Sequence, residues 1–75
     1  MEGKIMKVKI ALDTMNDVVQ FVAITSQIPH NITLVSEHFR VSAKSLLGAL
    51  CSMEWDEIWC ECEVDIYSKI EKFVV

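Results

Sequence analysis

Apolar and polar positions alternate from Ile5 to Leu12. Met6, Val8, Ile10 and Leu12 fall on one side, Lys7 and Lys9 on the other. A period of two with lysines outward predicts a strand with one face on a core. The period then changes. In "TMNDVVQFVAITSQ", Thr14 is a good N-cap. Asp17, three residues on, completes a capping-box pattern and places negative charge in the first helical turn. Val18, Val19, Phe21, Val22 and Ile24 supply an apolar stripe. These β-branched residues would also permit a strand, but the cap and the length select a helix. Pro29 ends it, because the residue before a proline avoids helical angles.

"NITLVSEHFRVSA" predicts a hairpin. Ile32 and Leu34 share one face, Thr33 and Val35 the other, the turn falls near Glu37-His38, and Phe39 to Ala43 returns. Ser45 then caps a short helix from Leu46 to about Ser52, and "MEWD" is a loop. "EIWCECEV" alternates most cleanly. Ile58, Cys60, Cys62 and Val64 point one way, and Glu57, Trp59, Glu61 and Glu63 the other. Asp65 caps a last helix, "IYSKIEKFVV", with Ile66, Ile70 and Phe73 at i, i+4 and i+7. The order is β-α-β-β-α-β-α. Each strand has one apolar face, so the expected fold class is α+β, an open-faced β-sandwich. Its four-stranded antiparallel sheet carries all three helices on one face.

Composition narrows the function classes. The 75 residues make one domain, and 52% hydrophobic content with two glycines and one proline predicts a packed globule. Seven Lys and Arg against eleven Asp and Glu leave a net charge of −4. That excludes a nucleic-acid backbone binder, which needs a basic surface; docking onto a basic protein partner stays open. The start, "MEGKIMKVKIAL", has no apolar signal core. Val18 to Ser36 lacks charged residues but carries Gln20, Gln27, Pro29, His30 and Asn31, and does not suit hydrocarbon. A cytoplasmic protein without membrane contact is expected, and the sequon at Asn31 is then a chance match.

The three cysteines read as free thiols. Cys60 and Cys62 project from an apolar strand face and suit a core. A metal site would need two more ligands, and neither His30 nor His38 has the spacing, so no metal or cofactor is expected. In the short second helix Leu46, Leu47 and Leu50 cannot all point inward. Leu47 and Leu50 lie three apart and share a face, which leaves Leu46 toward solvent.

In that element order, "VSAKSLLGAL" resembles the segment around the regulatory serine of HPr, the small phosphocarrier family of the bacterial sugar phosphotransferase system. That family shows a Lys-Ser, two large apolar residues and a glycine after its hairpin. The resemblance covers most of the chain in length and element order, and is strong residue by residue from Val41 to Leu50. It implies an HPr-like fold with the last strand beside the first. Lys7 and Lys9 would then face Glu57, Glu61 or Glu63, with their stems over Trp59; an exposed Trp59 anchoring a dimer or partner is the alternative.

The family's other landmark, a Gly-Leu/Ile-His-Ala-Arg-Pro motif carrying the phosphohistidine, is absent. Aligned without gaps from Ser45, Thr14 stands at the histidine, Asn16 at the arginine, Asp17 at the proline, and Leu12 at the glycine. A threonine phosphate is a stable ester that does not pass its phosphoryl group on. Losing the arginine removes charge stabilisation of an incoming phosphate, and Asp17 repels it. The resemblance therefore implies a regulatory, protein-binding relative that is not an enzyme. Ser45 is its phosphorylation candidate, with Lys44 adding a contact. Leu46, Leu47 and Leu50 form its partner patch with the Thr14 region. Its partners are phosphotransferase-system or regulatory proteins, and it is a monomer or weak dimer. Ser45 as a plain cap, phosphotransfer through His30 or His38, and a structural domain that kept only the fold are the rival readings.

Overall fold

A computed structural model describes residues 5–75. Its strands are β1 (Met6–Ile10), β2 (Ile32–Val35), β3 (Arg40–Ser42) and β4 (Ile58–Cys62). Its α-helices are α1 (Met15–Thr25), α2 (Leu46–Ser52) and α3 (Tyr67–Ile70), and a 3₁₀ turn spans Glu71–Phe73. The sheet order is β1-β4-β2-β3, with every neighbouring pair antiparallel. This is the α+β class that the alternation predicts, with the last strand beside the first.

Period-two patterning sorts the two faces of the sheet. Ile10, Ile32, Leu34, Ile58, Cys60 and Cys62 are buried on the inner face. Val18, Phe21 and Thr25 of α1 and Ala49 and Ser52 of α2 are buried with them. The C-terminal segment adds Ile66, Ile70 and Phe73 to this core, and the Phe73 ring meets Phe21 edge-on at 5.3 Å. The outer face is charged. Glu61, opposite both Lys7 and Thr33, takes the Lys7 ammonium at 3.6 Å and the Arg40 guanidinium at 2.9 Å. Trp59 lies among these groups, with Lys7 Nζ 5.6 Å from its ring centre and its indole N–H donating to Glu57 at 3.4 Å. The lysine-over-indole reading holds.

Four expectations need correction. The last strand ends at Cys62, so Val64 leaves the inner row and is 36% exposed. Cys62 pairs with the first residues of both neighbours, Met6 and Ile32, so there is no ladder beyond it. The final helix is a single α-turn followed by the 3₁₀ turn, and Ile66 occupies its N-cap. Asp65 sits one residue too early and accepts from the Tyr67 amide in a local turn. The tail then opens, and Val74 bridges Ile10 while the Val75 amide donates to Lys9 O. The β-branched end thus covers the free edge of β1, which an unpaired ladder favours over more helix.

The fourth correction concerns α2. Leu46 is 46% and Leu47 76% exposed, and Leu50 is half-buried. Leu46 faces solvent as expected, but Leu47 does so still more and does not share an inward face with Leu50. The buried face of α2 is made of small residues, Ala49 and Ser52. A Cβ on Gly48 would stand 3.1 Å from Ser42 O and 3.2 Å from Val41 Cβ. Small residues let α2 settle closely on β3 and α1, Leu50 packs partly against the core, and Leu46 and Leu47 are turned out.

Candidate functional site

Both residues at the centre of the resemblance, Thr14 and Ser45, open helices. At α1, Thr14 Oγ1 accepts from the Asp17 amide at 3.1 Å. Asp17 Oδ2 accepts in return from the Asp13 and Thr14 amides at 3.1 and 3.2 Å. The capping box read from the sequence is complete. A carboxylate thus already sits at this helix start, on the amides of Asp13 and Thr14. Asn16 is exposed beside them and carries no charge.

At α2, Ser45 Oγ accepts from the Gly48 amide at 3.1 Å, and no acid stands in the first turn. Ser45 is exposed. The Lys44 ammonium bonds Ile28 O instead, close to where α1 ends. It is spent on that loop carbonyl and not on Ser45.

The strand order sets these two tips apart. β1 and β2 both run antiparallel to β4 and so parallel to each other, with α1 returning between them. The last residue of α1, Thr25, donates its buried hydroxyl to Ala43 O at 2.8 Å. Ser45 therefore lies beside the C-terminal end of α1, while Thr14 begins the helix. Eleven residues separate the two ends, about 16 Å at 1.5 Å per residue. The partner patch expected around Thr14 and Leu46 would have to span that length of helix. Met15 and Val19 are exposed on α1, and Leu46 and Leu47 on α2. Asp17 is the only charged residue of α1, and α2 has none.

Neither histidine approaches the α1 tip. His30 Nδ1 lies 3.1 Å from Glu63, past the far end of α1. His38 is exposed in the β2–β3 turn, 3.9 Å from Glu37. The cysteines are free; Cys51 is exposed, and Cys60 and Cys62 are buried. Burial pushes the Cys60 thiol up to about 12, with Cys62 and Glu61 adding to the shift, so it stays protonated and inert. Among the described residues no three His, Cys, Asp or Glu side chains gather where they would hold a metal, and no helix is long and apolar enough to cross a membrane.

Sequence reasoning missed the buried hydroxyl of Thr25, which looked like one more position in a β-branched helix. It also missed the small face of α2, for which the Ala49-x-x-Ser52 spacing was the available signal. No protein-family model, curated protein or solved structure matches this chain.

Proposed function

We propose that this chain is a regulatory, protein-binding domain related to HPr, unable to relay phosphate through histidine and switched at Ser45. The observation that carries the reading is the α1 tip. A threonine stands where relay needs an imidazole, and the Asp17 carboxylate occupies the adjoining amides. The strand order is the one that the resemblance anticipates. Ser45 is exposed at its cap, and Leu46 and Leu47 stand out beside it for a partner to cover. Modification would place a doubly charged group at a helix start that has no acid of its own. The surface it alters is the uncharged face of α1 and α2.

Two experiments test this. Phosphoenolpyruvate with the general phosphotransferase enzyme should leave the protein unlabelled; acid-labile phosphate on it would overturn the loss of relay. In a pull-down against phosphotransferase-system proteins, Ser45→Asp should exchange partners relative to wild type. Identical partner sets, with Leu47→Glu also leaving them unchanged, would remove both the switch and the docking face.

A further inference from the structure

A cavity of about 510 Å³ opens between the β2–β3 turn and the α2–β4 loop, away from both helix tips. Three aromatic side chains line it: Phe39, Trp55 and Trp59. Phe39 is 59% exposed at the end of its turn, yet its ring stacks on Trp55 with centroids 5.9 Å apart and planes 14° from parallel. Four of the eleven carboxylates share the same lining: Glu37, Glu54, Asp56 and Glu57. Glu57 already serves Lys9 and the Trp59 indole, and Glu37 lies near His38. Glu54 and Asp56 meet no cation among the described residues.

This combination selects a ligand type. Carboxylates alone would suit any cation, and a strongly hydrated one would be satisfied by water and the acids. Aromatic faces gain most from a bulky cation that sheds its water easily. Trp59 already takes an ammonium over its ring, that of Lys7. The volume fits a small-molecule or side-chain headgroup. We infer that the cavity walled by Phe39, Trp55 and Trp59 and rimmed by Glu54 and Asp56 binds a quaternary-ammonium headgroup, carried by a free small molecule or by a methylated lysine. The site stands independently of the HPr-related reading. Failure of the relay and pull-down tests leaves it intact, and its failure leaves them intact.

The two tryptophans of the chain, Trp55 and Trp59, both line this cavity, so emission excited selectively at tryptophan, leaving out Tyr67, reports on it. The full chain is titrated at constant ionic strength with choline chloride, with 3,3-dimethyl-1-butanol as the uncharged isostere, and with N-acetyl-trimethyllysine methylamide. At least one cation should shift the emission saturably, with Kd in about the millimolar range. The isostere should bind about 2- to 30-fold more weakly. The exposed double change Glu54→Gln/Asp56→Asn should weaken the cation about threefold and leave the isostere unchanged. Trp55→Leu should abolish binding, and the double variant keeps the test open if Trp55→Leu does not fold. Tighter binding of choline assigns a free ligand, and tighter binding of the lysine derivative assigns a modified side chain. Equal binding of the isostere, no saturable shift with either cation, or full cation affinity in the double variant would overturn the inference.

Discussion

The tips of α1 and α2 begin alike and differ in what fills them. Each opens on an extended residue whose hydroxyl accepts an amide three positions on. At α1 the exchange is reciprocal, and Asp17 returns a charged acceptor to two amides. At α2 the hydroxyl acts alone, the first turn holds no acid, and the neighbouring lysine is engaged elsewhere. Since the positive end of a helix takes one negative group well, the tip that already contains one has little left for phosphate, and the empty one retains its full attraction. The same local motif can thus close a site or leave it open, depending on the residue three positions after the cap.

Both tips rest on one core, and the largest way to break the comparison is to loosen that support. Cys60 keeps its proton in the fold to about pH 12, whereas an unfolded thiol loses it near 8.5. The folded state then binds more protons, so stability is fully present below about pH 8.5 and is lost as pH rises through 12. About 2–4 kcal/mol should disappear over that window. Urea denaturation at stepped pH checks this, and Cys60→Ala should flatten the alkaline limb.

Thr25→Val comes next. It leaves the Ala43 carbonyl facing an apolar group, and should cost about 1–3 kcal/mol in the same assay. Because that bond ties the end of α1 to Ala43, two residues ahead of the α2 cap, amide exchange should quicken around Ser45 more than around Thr14. Equal acceleration at both tips would mean that they are not independently anchored.

The sharpest comparison moves one charge at each tip. Asp17→Asn should destabilise by about 0.5–1 kcal/mol, since it weakens a closed box. Ser45→Asp, which keeps a competent cap and adds the missing anion, should change stability by about 0.5 kcal/mol or less, toward greater stability. Opposite signs in thermal melts support the distinction. A clear loss for Ser45→Asp would show that the α2 tip does not welcome negative charge.

Smallest is the acid limb. The Trp59 indole N–H, and then Lys9, hold the Glu57 carboxyl below its ordinary range. A lowered carboxyl stabilises above its unfolded value near 4.3 and loses that contribution as pH falls through the folded one. Glu57→Gln should therefore remove a shallow slope below about pH 4.3, visible in wild-type acid melts.

Where one physical rule dominated, the chain was legible. The alternation from Ile58 to Cys62 can satisfy only a strand with one buried face. Thr14 with Asp17, and Ser45 by itself, mark helix starts by residue chemistry alone. Where rules competed, the reading slipped. Leucines outrank alanine and serine in hydrophobicity, yet α2 buries Ala49 and Ser52, because close approach to β3 outweighs side-chain area there. Helical spacing in the C-terminal segment placed Ile66, Ile70 and Phe73 correctly in the core, but could not register the pull of the unpaired β1 edge on Val74. The separation of Thr14 from Ser45 follows from strand direction, which no local pattern encodes. The aromatic cavity joins a turn and a loop 16 positions apart, Phe39 and Trp55, and neither stretch stands out alone.

The central position of β4 has a consequence for how the molecule comes into being. β1 and β2 never touch in the sheet; β2 has β3 on one side, and only residues 58–62 join that hairpin to β1 in one sheet. A nascent chain ending before that segment holds a lone strand, two helices and a small hairpin, with no strand to bring them into one sheet. Assembly of the sheet therefore waits for residues 58–62 to leave the ribosome, then closes in a single step dominated by distant pairings, the slow and cooperative kind.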